Sequence, residues 1–115
     1  MSVTIWHNPR CSKSRATMAL LEERGIAPVV VLYTDNPPSK EEIETVLNLL
    51  GIEPMALMRK GEAVFKEKNL ADPALSADDL VSAMAENPIL IERPVVIANG
   101  KAALGRPPED VLKIL

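Results

Sequence analysis

The sequence predicts an α/β domain built on a mixed sheet of about four strands. Three features predict it: a strand, helix, strand pattern at the start, two helix-capping motifs in the middle, and a hairpin followed by a helix at the end. Val3 to Trp6 is a short β-branched and aromatic run that stops at Asn8-Pro9, where proline removes a backbone donor. Ser12 to Arg24 follows as a helix with Ala16, Ala19 and Leu20 on one face, and Gly25 stands where a left-handed residue closes it. Pro28 to Tyr33 is apolar without alternation, the pattern of a strand covered on both faces. Strand, helix and strand so close together form a right-handed parallel βαβ unit.

The next stretch is helical. Ser39 with Glu42 makes a capping box ahead of Ile43, Val46, Leu47 and Leu50, which share one helical face before Gly51. Gly61 to Leu70 forms a shorter piece. Ser76 with Asp79 opens another helix, with Leu80, Ala83 and Met84 inward and Asn87-Pro88 as its stop. Pro94 to Ala98 is a strand, Asn99-Gly100 is the dipeptide of a type I′ turn, and Lys101 to Leu104 returns as its partner. After Gly105 and Pro107-Pro108, Val111, Ile114 and Leu115 mark a last amphipathic helix. The expected order is βαβ, a helical insertion over about 39–87, then ββα, in a single domain over 1–115.

Composition removes several function classes. A net charge of −3 gives a polyanion no attraction to the whole molecule, and Trp6, Tyr33 and Phe65 are too few for base-stacking platforms, so no nucleic acid partner is expected. Nothing at Met1 to Pro9 has the form of an export signal, and the apolar run from Ala27 to Tyr33 is too short to cross a bilayer, so a cytoplasmic protein with no membrane partner is expected. Cys11 is the only cysteine and His7 the only histidine, which leaves no thiolate metal site and no internal disulfide.

Cys11 is the residue with chemistry to offer. It stands where a loop becomes a helix, so unpaired N–H groups and the positive end of the helix dipole face its sulfur. A helix terminus is worth about 0.3 to 1 kcal/mol when exposed, too little to ionise a thiol alone. Arg10 and Arg15, and His7 in space, are therefore expected to add positive charge. A phosphatase loop is excluded because it needs arginine where this chain has Thr17. A dithiol oxidoreductase is excluded because Ser14 occupies the place of the second thiol. Arg59, Arg93 and Arg106 stand at element ends, the last two before prolines that fix the backbone, and fixed guanidinium forks suit capture of a tetrahedral oxyanion.

Four segments carry a resemblance across essentially the whole chain: HNPRCSKSR over His7 to Arg15, LMRKGE around Arg59, NPILIERPVV around Arg93, and the closing GRPPEDVLKIL. Together they resemble the glutaredoxin-dependent arsenate reductase family, which has a thioredoxin-like fold. The resemblance implies that Cys11 attacks arsenate or a similar oxyanion while Arg59, Arg93 and Arg106 hold its oxygens. Glutathione then serves as cosubstrate and glutaredoxin resolves the mixed disulfide. It also implies that His7 and Ser14 bias Cys11 toward thiolate, with Arg15 in support, and that Pro94 is the cis-proline beside the active cysteine. No bound cofactor and no metal are implied, and a monomer is expected. Arg10 and Ser12-Lys13 replace the small residue and Gly-Thr of efflux-associated members, a variant that resembles the chromosomal branch of the family. Two rival readings are a redox-sensing adaptor that binds RNA polymerase, which Ser14 in place of a second cysteine disfavours, and a general glutathione-dependent thiol oxidoreductase, which has no use for three arginines.

Overall fold

A computed structural model describes residues 2–115. The chain divides into two compact units, one made of the stretch through Asn36 together with Arg93–Leu115, the other of Pro37–Glu92.

The first unit holds the sheet. Strand β1 (Val3–His7) leads through a loop to helix α1 (Ser12–Glu23), and strand β2 (Val29–Leu32) follows; β3 (Val95–Ala98) and β4 (Lys101–Leu104) complete it. The strand order is β2-β1-β3-β4, with β1 parallel to β2 and antiparallel to β3, and β3 antiparallel to β4. This is the mixed four-strand sheet that the βαβ and ββα patterns predict. The β3–β4 turn takes its form from Asn99 and Gly100, both at positive φ (+55° and +70°), as a type I′ turn requires. Val3, Ile5, Leu21, Val96, Ala98, Val111 and Ile114 form the core, with Met18, Leu20 and Ile26 packed at its margin.

Three expectations for this unit need correction. The apolar run after Pro28 forms β2 as an edge strand, and Val29 and Val30 are 57% and 43% exposed. A continuous apolar run reports β-propensity, but strand order decides burial, and a strand preceded by proline suits an edge. Helix α1 turns Ser14, Thr17 and Leu21 inward, while Ala16 and Ala19 are exposed and only Leu20 of the expected face reaches the core. Two hydroxyl residues can occupy the buried face because each is hydrogen-bonded: Ser14 to His7 and Asn8, Thr17 to the Lys13 carbonyl. The closing helix is a 3-10 helix over Pro108–Ile114, in which the buried Val111 and Ile114 are three apart, matching the tighter period.

The second unit contains α2 (Lys40–Leu50), α3 (Ala63–Glu67) and α4 (Ala77–Glu86), with 3-10 turns at Pro54–Leu57 and Pro88–Leu90. Both capping boxes form: Ser39 Oγ accepts from the Glu42 N–H at 3.1 Å while Glu42 reaches back to the Ser39 N–H, and Ser76 with Asp79 repeats the arrangement. Ile43, Val46 and Leu47 of α2 and Leu80, Val81, Ala83 and Met84 of α4 are buried. An isolated antiparallel bridge between Met58 and Ile91 ties the middle of this unit to its C-terminal end. Among the described residues no helix is long and apolar enough to cross a membrane.

Candidate active site

The loop from β1 to α1 is shaped by Asn8. This buried side chain accepts from the Arg10 N–H through Oδ1 at 3.0 Å, and its carbonyl accepts from the Cys11 N–H at 3.0 Å. The resulting turn delivers Cys11 to the N-cap of α1, with extended backbone (φ −92°, ψ 124°) and its own carbonyl bonded to the Arg15 N–H. Sequence reasoning read Asn8-Pro9 only as a strand stop. The signal for its fuller role was present in an asparagine two residues ahead of Arg10, the spacing of a side-chain turn.

Burial pushes the Cys11 thiol up, but hydrogen bonds from the Ser14 N–H, the Arg93 guanidinium and the Lys13 N–H, with the charge of Arg93, outweigh it. Its pKa therefore lies below the ordinary thiol value, so a larger share of Cys11 is thiolate at neutral pH than of a free cysteine. Arg106 adds a second guanidinium, with Nη2 3.9 Å from the sulfur. Arg106 is itself positioned by Nε donating to the Arg93 carbonyl at 2.9 Å, so the two arginines are linked. The Arg93-Pro94 peptide is cis, as is Arg106-Pro107.

The charges expected from sequence neighbours are arranged otherwise. Arg10 is exposed, and Arg15 donates Nη1 to the Pro9 carbonyl at 2.9 Å, bracing the loop ahead of the cysteine. The expectation that charge comes from the flanks is thus corrected: Arg93, distant in sequence, supplies it. His7 is buried, and burial together with the charge of Arg15 lowers its pKa below 6.5, so a neutral imidazole adds no positive charge. His7 Nδ1 lies 2.6 Å from Ser14 Oγ, which also accepts from the Asn8 N–H at 3.0 Å. His7 and Ser14 fix the first turn of α1, whose N–H groups face the sulfur.

Arg59 belongs to the Pro37–Glu92 unit. Its Nε donates to Glu62 at 3.1 Å and its Nη1 to Glu92 at 2.9 Å. Burial works against its charge, and the two carboxylates more than offset this, raising its pKa above the ordinary value.

A thiolate beside two fixed guanidinium groups can do nucleophilic chemistry on a tetrahedral oxyanion whose charge the arginines neutralise. Comparison with known proteins agrees with the motifs. The ArsC family model matches residues 6–114. The arsenate reductase of Neisseria meningitidis serogroup A is 50% identical over 114 residues, covering 98% of this chain and 97% of that one. Uncharacterized protein YfgD of Escherichia coli K12 is 53% identical over 114 residues, covering 98% of this chain and 96% of that protein. Among solved structures, an arsenate reductase from Vibrio cholerae superposes with a TM-score of 0.97 at 57% identity, covering 100% of this chain and 98% of that one. The fold is thus the thioredoxin-like one that the resemblance implies, and with similarity along its full length the chain belongs to the ArsC family.

Proposed function

We propose that the protein is an arsenate reductase that uses Cys11 as its sole nucleophile, with glutathione as cosubstrate and glutaredoxin as the protein that regenerates it, in the cytoplasm. The observation that carries this reading is the Cys11 sulfur at the start of α1, hydrogen-bonded by Arg93 and 3.9 Å from Arg106 Nη2. In the first step the thiolate attacks arsenic(V), a sulfur–arsenic bond forms, and one arsenate oxygen leaves as water after protonation. A glutathione thiolate then attacks the Cys11 sulfur. The S–As bond breaks with its electron pair passing to arsenic, which leaves as arsenite(III), and a Cys11–glutathione disulfide forms. Glutaredoxin takes the glutathione through thiol–disulfide exchange and returns Cys11 to thiolate. The single cysteine supports an external reductant, since no second thiol in the chain can resolve the adduct. Arg93 and Arg106 would each offer the anion charge-assisted hydrogen bonds. Arg59 enters this reading through the LMRKGE resemblance alone.

The test is arsenite production by the purified protein with arsenate, glutathione and glutaredoxin, beside Cys11→Ser. Arsenite from the wild type and none above background from Cys11→Ser is the expected result; equal rates from the two would overturn the assignment.

A further inference from the structure

Gly105 sits where three segments of the sheet unit meet. Its N–H donates to the Pro94 carbonyl at 3.0 Å, continuing the β3–β4 pairing one step beyond Val95 and Leu104. On its other side lies Thr17 of α1, fully buried, with Oγ1 held by the Lys13 carbonyl at 2.9 Å. A Cβ added at Gly105 would stand 2.5 Å from Thr17 Oγ1, 2.6 Å from Pro94 Cγ and 3.1 Å from Pro94 Cδ. Neither neighbour can easily yield: one is a buried β-branched side chain with its hydroxyl bonded, the other a closed ring on a buried residue. Any side chain at 105 must therefore separate α1 from the 93–94 and 105–106 segments. Those are the pieces that carry Cys11 on one side and Arg93 and Arg106 on the other.

We propose that Gly105 is a positioning residue for the active site: its bare Cα lets the two arginine-bearing segments close on α1, setting Arg93 and Arg106 against the Cys11 sulfur. Arg106 is the next residue in the chain, so a displacement at 105 passes directly to its backbone. Its Nε bond to the Arg93 carbonyl makes the two guanidinium groups shift together. The inference rests on the reading of Cys11 as an activated nucleophile, and its test does not require arsenate turnover.

The test is the rate of Cys11 alkylation by iodoacetamide as a function of pH in the wild type, Gly105→Ala, Gly105→Ala with Thr17→Ala, Arg106→Ala, and Arg106→Ala with Gly105→Ala. Gly105→Ala should slow alkylation at neutral pH about tenfold, the scale of one lost hydrogen bond to a charged group, and move the profile to higher pH. Thr17→Ala removes the nearer obstruction, so the Gly105→Ala, Thr17→Ala pair should recover part of that loss. In the Arg106→Ala background, Gly105→Ala should have a smaller effect, because a group already removed cannot be displaced. A global packing defect would lower stability without this non-additivity. If Gly105→Ala fails to fold, the Thr17→Ala pair carries the comparison, and if both fail, chemical shifts of the Arg106 side chain in Thr17→Ala decide it: opening space beside Gly105 should move them, and unchanged shifts would overturn the proposal. A folded Gly105→Ala with the wild-type profile, or an equal effect with and without Arg106, would also overturn it. A wild-type profile centred at the free-thiol value would instead sink the nucleophile reading, so the two failures are distinct.

Discussion

Replacing Arg93 by alanine removes one hydrogen bond and one positive charge from the Cys11 sulfur and leaves in place the Arg93 carbonyl that holds Arg106 Nε. A hydrogen bond to a charged group is worth about 1.5 to 3 kcal/mol. The sulfur is only half-buried, so water recovers part of the loss and the lower end applies. About 1.4 kcal/mol corresponds to a factor of ten. Because Arg93 favours the charged form of the thiol, the substitution disfavours thiolate, and the alkylation profile must move to higher pH. Iodoacetamide alkylation at pH 7 should slow about tenfold, and sulfate should protect Cys11 less well. Folding should be nearly intact, since Arg93 is half-buried on a loop and its backbone is unchanged. Arg93→Lys should recover part of the rate, because an ammonium restores charge without the planar fork; full recovery would show that point charge is all the site uses. Identical profiles for the wild type and Arg93→Ala would refute the role of Arg93 in activating the thiol.

Three further outcomes follow from the structure. His7 has a folded-state pKa below its unfolded value of 6.5, so the unfolded chain takes up the proton first; stability should be full above pH 6.5 and decline as pH falls below it toward the folded value, and the urea midpoint of His7→Gln should be flatter across that window. Ser39→Ala and Ser76→Ala each break a capping box and should each cost about 1 kcal/mol in urea unfolding. Val29→Thr on the exposed edge should change stability by less than about 0.5 kcal/mol, whereas Val96→Ala in the core should cost about 2 kcal/mol.

Much of the fold was legible because its signals are local. The two capping boxes, the Asn99-Gly100 turn and the helix end at Gly25 each depend on residues adjacent in sequence, and each forms where the sequence puts it. Properties that depend on neighbours in space were less legible. Nothing within Val29–Leu32 states that β2 lies on the sheet edge, and nothing in α1 states that Ser14 and Thr17 face inward until the partners of their hydroxyls are known. The site divides in the same way. A cysteine at a loop-to-helix junction is a sequence feature, but the source of its charge is not: the adjacent Arg10 is exposed and Arg15 is bonded to the Pro9 carbonyl, and Arg93 and Arg106 arrive from the far end of the chain through the β3–β4 pairing. Gly105 was legible only as a loop glycine, since its reason lies in Thr17 and Pro94.

The most direct test of Cys11 as the nucleophile that glutathione displaces from arsenic is a single-turnover experiment with arsenate and glutathione in the absence of glutaredoxin, quenched and read by intact mass and arsenite determination. One arsenite should be released for each protein molecule, with one glutathione added at Cys11 and no further turnover until glutaredoxin is supplied. Arsenite formation without an adduct at Cys11, or an adduct with no arsenite, would contradict the account.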